Sequence, residues 1–232
     1  MERMEATIKS GFHPRTLESG EVSQLLQGRH GRRLMKSFRQ EGIDLLLDQW
    51  IEPRLSFCVK NVLFAKNGTV GLTGDVELKS AKLARVLRDC KTAVCFVATI
   101  GPTIDGVIKQ ANAKHHLTES YLIDKIGSAA VEDVVDTFQH LIRVRVQKKH
   151  EGVTYRFSPG YCDWPLTEQK KIFSLVDTAR IGVSLSSSCL MTPRKTVSGI
   201  FGVLPPGHVP YNPCISCRNT HCTARRLHAR LP

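Results

Sequence analysis

The sequence predicts an α+β fold, on three observations. Residues 92–100 (TAVCFVATI) form an unbroken apolar run of strand length, which suits a buried central strand. Between about 118 and 149, Ile126, Ala130, Val134, Phe138 and Ile142 recur at every fourth position. Glu132, Asp136, His140 and Arg143 form a polar stripe there, which is the pattern of a long amphipathic helix. Elsewhere, helical and extended segments are interleaved without a regular strand–helix alternation, which argues against a parallel α/β sheet.

In chain order, residues 1–53 read as a helical lead-in. Residues 1–30 have few apolar anchors. Leu34, Met35, Phe38, Ile43, Leu46, Leu47 and Trp50 then predict a helix to about residue 51, which Pro53 ends. Residues 54–206 carry the core. A strand is expected over 56–64, a turn at Asn67-Gly68, and a helix over 78–89 with Leu83, Val86 and Leu87 on one side. After the 92–100 strand, Gly101-Pro102 opens a helix running towards His115. Within the long helix, Gly127-Ser128-Ala129-Ala130 predicts close approach by another element or by a ligand. Beyond residue 151 come YRFSPGY as a strand, LTEQKKIFSLVD as a helix, and IGVSLSSSCLM and KTVSGIFGVLP as strands. Residues 207–232 form a Cys-rich tail with almost no core-forming side chains.

The composition, 41% apolar and 23% charged over 232 residues, is that of a globular protein. No apolar run is long enough for a membrane-spanning helix, and the N-terminal residues lack the apolar stretch of a signal peptide; a cytoplasmic location is expected. A net charge of +12 favours an acidic partner. Part of it is concentrated at Arg143, Arg145, Lys148 and Lys149, and part at Arg218, Arg225, Arg226 and Arg230. Without an export signal, the eight cysteines do not read as a disulfide framework. Cys58, Cys90 and Cys95 sit in apolar settings and are expected as small buried hydrophobes.

The segment Arg156-Phe157-Ser158-Pro159-Gly160-Tyr161 carries the densest chemistry. Pro159 presets a turn, and Gly160 permits a positive φ or a close ligand approach. Arg156 can grip a carboxylate bidentately, and Tyr161 presents a flat ring with a polar tip. Downstream lies MTPRKTVSG (191–199), and upstream lie CFVATIGPTIDGVIK and IGSAAVEDVVD. Together, over about residues 72–202, these ordered motifs resemble the activation domain of cobalamin-dependent methionine synthase. That family has an Arg-x-x-x-Gly-Tyr loop, then a Pro, a helix, and a strand ending in Val-Ser-Gly.

The resemblance implies a twisted, mainly antiparallel sheet with flanking helices. It implies that Arg156 holds the carboxylate of S-adenosylmethionine, that Ser158 contributes backbone contacts, and that Gly160 lets the loop approach both ligands. Tyr161 would face the corrin as the catalytic contact. The implied role is reductive methylation of oxidised cobalamin, in which the module's work is positioning. No Asp-x-His-x-x-Gly cobalamin motif occurs, so the expected cobalamin is carried by a separate partner. That partner is a methionine synthase core or a related corrinoid protein, with flavodoxin or ferredoxin as electron donor. His150 stands where the family has an acidic residue, beside Glu151, and after Val203 the resemblance ends, leaving Tyr211 as a positional candidate for a late ligand contact.

The tail reads Cys214-x2-Cys217-x4-Cys222, a spacing suited to zinc or an iron–sulfur cluster, with His208, His221 and His228 as candidates for a further ligand. Free or redox-active thiols are the alternative. Two other functions remain open at this level. One is a nucleic-acid-binding module, using the basic surface and a knuckle-like tail, although no aromatic lies within the cysteine loop to stack a base. The other is a corrinoid-binding accessory of another methyltransferase.

Overall fold

The computed structural model describes residues 50–215, 217 and 221. The expected helix over 32–51 therefore lies almost wholly outside the described residues. Contacts divide the chain into two units. The first takes in residues through 56, 97–137 and 178–197, and the second 57–96, 138–177 and 198–232.

The fold is mixed helix and sheet. Strands β1 (Arg54–Lys66), β2 (Thr69–Leu72), β3 (Val76–Lys79), β4 (Thr92–Thr99), β5 (Gly152–Val153) and β8 (Thr196–Leu204) make one sheet in the order β3-β2-β1-β4-β8-β5. A separate antiparallel hairpin pairs β6 (Ser184–Leu185) with β7 (Met191–Thr192). The helices are α1 (Ala81–Val86), α2 (Thr103–Ala113), α3 (Leu117–Gln147) and α4 (Gln169–Leu175). No helix among the described residues is long and apolar enough to cross a membrane.

Local chemistry explains most of these elements. Asn67 and Gly68 both adopt positive φ, 52° and 75°, which matches the right-handed twist of a two-residue hairpin and pairs Lys66 with Thr69. Strand β4 is buried from Ala93 onward, as its apolar run requires. In α3, Ile126, Ala130, Val134, Phe138 and Ile142 are all buried. In the second unit, Phe138 lies 5.0 Å from Phe57, 6.0 Å from Phe96 and 5.9 Å from Phe201 between ring centroids, forming an aromatic core. In the first unit, a Cβ on Gly127 would stand 2.8 Å from Ile104 Cδ1 and 3.1 Å from Lys195 Cγ. The small residue is there to admit those two side chains.

Three expectations need correction. The helix placed over 78–89 is split: Leu78 and Lys79 belong to β3, where Leu78 faces Val70, and the helix is only Ala81–Val86. YRFSPGY is not a strand but a loop that touches β8 through a single bridge, Phe157 with Ile200. IGVSLSSSCLM is not one strand either, because a 3-10 turn (Ala179–Ile181) precedes β6, and Ser186 Oγ accepts from Leu190 N to turn the chain towards β7. Repeated serines supplied local acceptors that compete with a ladder.

Candidate functional site

Arg156, Ser158, Gly160 and Tyr161 lie on one loop of the second unit, between β5 and α4. The loop begins as an irregular continuation of β5 along β8. Thr154 N donates to the Gly202 carbonyl at 2.9 Å, Gly202 N donates to Thr154 Oγ1 at 2.9 Å, and Phe157 exchanges backbone bonds with Ile200 at 2.8 and 2.9 Å. The chain then leaves the sheet at Ser158-Pro159. Gly160 has φ 91°, and its N–H donates to the Trp164 carbonyl at 2.8 Å, closing the turn that carries Tyr161. A Cβ on Gly160 would meet only Leu166 Cδ1 at 3.4 Å, so glycine is needed there for its φ rather than for space.

Gly199, the glycine of Val-Ser-Gly on β8, is needed for space. A Cβ there would lie 2.9 Å from Phe96 Cζ, 3.0 Å from the Phe157 carbonyl and 3.0 Å from Ser158 Oγ. The two sequence motifs meet at this glycine: the loop rests on the strand because no side chain stands between them.

Three further contacts hold the loop. Trp164 is buried and stacks parallel on Phe157, with centroids 5.8 Å apart. Asp163 reaches α1, where its carboxylate accepts from Ser80 Oγ (2.7 Å), Ala81 N (2.7 Å) and Lys82 N (3.1 Å). A carboxylate is favoured there by the unpaired N–H groups of a helix start. The side chain of Gln139, on α3 and buried, accepts from Arg156 Nη1 at 3.4 Å and donates to the Thr154 carbonyl at 2.8 Å. Arg156 is thereby half-buried and oriented, whereas Tyr161 is 48% exposed.

Sequence reasoning missed Asp163, Gln139 and Trp164. Gln139 left a faint signal, as a polar residue beside Phe138 in an otherwise apolar helical stripe. Asp163 left none, because its partners are 81 to 83 residues away.

Of the tail's cysteines, Cys214 and Cys217 are described and half-buried, and Cys222 lies outside the described residues. Among the described residues, no group of three or more His, Cys, Asp or Glu is arranged to hold a metal ion. The expected Cys214–Cys217–Cys222 set falls partly outside the described residues, at Cys222. The described neighbour of Cys217 is instead Cys162, at 3.9 Å between sulfurs. Burial first, and then the Cys217 thiol, push Cys162 up to about 11. Elsewhere, Cys90 and Cys95 are buried as expected, and Cys58 is half-buried. Tyr211 is half-buried just ahead of the tail turn.

Residues 89–208 match the family described as vitamin B12 dependent methionine synthase, activation domain. Among solved structures, the chain is similar to one described as the MetH reactivation domain bound to AdoHcy. The TM-score is 0.58 at 16% identity, covering 80% of this chain and 69% of that one. That likeness is one of fold. No curated protein sequence matches.

Proposed function

Since the chain belongs to the vitamin B12-dependent methionine synthase activation-domain family, we propose that it binds S-adenosylmethionine through the 156–161 loop and supports methylation of a cobalamin carried by a separate protein. The observation that carries this reading is the half-buried Arg156 guanidinium, held by buried Gln139 on a loop whose next feature is an exposed tyrosine. A guanidinium has five donors in a planar fork suited to a carboxylate, which fits the amino-acid end of S-adenosylmethionine. Trp164 Nε1 is buried without a hydrogen-bond partner among the described residues and adds a further donor to the same loop. Bound to the partner, cobalamin supplies the nucleophilic metal that accepts a methyl group from the sulfonium.

This chain's own residues bind and orient. Arg156 fixes one end of the ligand, Ser158 and Gly160 shape the backbone beneath it, and Tyr161 presents its ring to the corrin. Leu166, 45% exposed and packed beside Gly160, extends the apolar surface next to that tyrosine. A sulfonium leaving group needs no proton, so positioning is the whole of the task. The partner is a methionine synthase core or a related corrinoid protein, with a flavodoxin- or ferredoxin-type donor, and the setting is cytoplasmic.

Calorimetric titration with S-adenosylmethionine tests the reading. Binding should weaken by about 2–4 kcal/mol in Arg156→Ala, the scale of a lost bidentate charged contact. Equal affinity in the two proteins would remove Arg156 from the site.

A further inference from the structure

We infer that Cys162 and Cys217 are a redox pair: a disulfide oxidant closes them into a bond that ties the 156–164 loop to the C-terminal tail, and a thiol reductant opens it. The inference does not rest on the S-adenosylmethionine reading; it stands on where the two sulfurs are and on what puts them there.

The Sγ atoms of Cys162 and Cys217 are 3.9 Å apart although the residues are 55 positions apart in sequence. Both side chains carry thiols. A disulfide holds its sulfurs at about 2.05 Å, so closure needs a further approach of roughly 2 Å, which side-chain rotation and a small shift of the loop supply. Cys162 is exposed and Cys217 half-buried, so a small oxidant reaches the pair, whereas Cys90, Cys95 and Cys189 are buried.

The meeting of the two segments, both in the second unit, is fastened on both sides to the same helix start. Asp163, next to Cys162, accepts from the backbone N–H groups of Ala81 and Lys82. Pro213, next to Cys214, accepts through its carbonyl from Lys82 Nζ at 3.2 Å. One lysine thus binds the loop through its main chain and the tail through its side chain. Within the tail, Cys214 N donates to Asn212 Oδ1 at 2.9 Å and Cys217 N to the Cys214 carbonyl at 3.3 Å, closing the turn that carries Cys217. Within the loop, Cys162 adopts φ 53°, a region that residues other than glycine seldom occupy. Such backbone is found where a side chain's placement is used.

The step is a thiol–disulfide exchange. A thiolate of the pair attacks one sulfur of a small disulfide such as oxidised glutathione, forming a mixed disulfide and releasing one reduced glutathione. The second thiol loses its proton and attacks the protein sulfur of that mixed disulfide, which expels the other glutathione. The protein gives up two electrons and two protons, and both leave as the glutathione thiols. Burial first, and then the Cys217 thiol, push Cys162 up to about 11, so its thiolate is a minor form at neutral pH and the exchange is slow. Closed, the bond adds a covalent support one residue from Tyr161, on a turn otherwise held by hydrogen bonds and ring packing.

The test uses the reduced full chain, equilibrated without air in glutathione buffers of rising oxidised share. Each sample is quenched by alkylation, digested and mapped by mass spectrometry. The major cross-linked peptide should join Cys162 to Cys217, and dithiothreitol should reverse it. Cys162→Ser should lose that peptide and need a buffer at least about ten-fold more oxidising before any internal disulfide forms. Cys214→Ser should keep the peptide, and Cys189→Ser, a buried thiol of the other unit, should match the parent. Circular dichroism of the reduced variants shows that they are folded.

Two results would overturn the inference, and both are read on the parent protein. One is a major disulfide that joins Cys217 to Cys214 or to Cys222 while Cys162 is recovered alkylated. The other is a chain whose Cys162 and Cys217 stay alkylated, or end as separate mixed disulfides with glutathione, in every buffer. Neither result bears on the S-adenosylmethionine affinity of the reduced chain, so failure here is separable from failure of the proposed function.

Discussion

Replacing Asp163 by alanine should destabilise the protein by about 1–3 kcal/mol, a figure that follows from what its carboxylate does. It accepts at 2.7 Å from Ser80 Oγ, at 2.7 Å from Ala81 N and at 3.1 Å from Lys82 N. Hydrogen bonds to a charged group contribute about 1.5–3 kcal/mol each when buried. The two backbone bonds are solvent-exposed and the Ser80 bond is part-buried, so screening removes much of that. The helix also keeps its own cap, because Ser80 Oγ still accepts from Leu83 N at 3.0 Å. What is lost is therefore nearer to one N-cap, typically about 1 kcal/mol, plus the tie between loop and helix. Asp163→Asn retains an acceptor oxygen without the charge and should cost less than the alanine change. Thermal denaturation reads both, at about 2–4 °C per kcal/mol for a chain of this size. A melting temperature unchanged in Asp163→Ala would refute the reasoning. It would mean that water replaces the carboxylate at no cost, and that the Trp164–Phe157 stack, Gln139 and the contacts with β8 suffice to hold the loop.

Three other changes probe the same unit. Gly199→Ala places a methyl group 2.9–3.0 Å from Phe96, the Phe157 carbonyl and Ser158 Oγ, so overpacking should cost about 1–3 kcal/mol and weaken S-adenosylmethionine binding in calorimetry; a fully stable variant with parental affinity would show that the loop can shift freely. Tyr161→Phe should leave S-adenosylmethionine affinity nearly unaltered but slow the methylation of a cobalamin partner, followed by visible absorption, by about ten- to a hundred-fold; equal rates would make Tyr161 a packing residue. Cys90 is pushed up to about 12, mainly by burial and then by Asp89, so it should resist alkylation in the native protein at neutral pH. Its contribution to stability is complete below the ordinary thiol value of 9.0 and is lost as pH rises from there towards about 12, and Cys90→Ala should flatten that part of a denaturation-against-pH profile.

Elements whose own residues determine them were legible in the sequence. The β4 run, the four-residue repeat of α3 and the Asn67-Gly68 hairpin each express a local rule of periodicity or backbone angle. The misread elements are those decided by distant partners. Leu78 and Lys79 have apolar and basic neighbours that suit a helix, yet pairing with Val70 and Thr69 makes them a strand edge. The loop after β5 looked extended because Tyr155 and Phe157 favour strands; only Phe157 keeps a bridge, since Pro159 has no N–H with which to continue along β8.

For the candidate site, the sequence supplied the residues that would face a ligand and not those that hold them. Arg156 and Tyr161 stand out through the family motif that their loop shares with MTPRKTVSG downstream; alone, the loop reads as a tight turn with a surface arginine. Gln139 and Asp163 are ordinary residues whose role exists only once α3 and α1 converge on the loop, and Gly199, although part of a recognised motif, shows its reason only once β8 meets that loop. Their arrangement fixes the loop at successive points: Gln139 at Arg156, Gly199 beneath Phe157 and Ser158, the stack on Phe157 at Trp164, and α1 at Asp163. The segment between the last two of these supports and Pro159 is short and carries Gly160, Tyr161 and Cys162. Its geometry is consequently set from both sides, so a change at either support should reach Tyr161 and Cys162 together. A turn fixed from both sides and presenting one exposed ring suits a positioning task, because misplacement by about 1 Å can cost about a hundred-fold in rate.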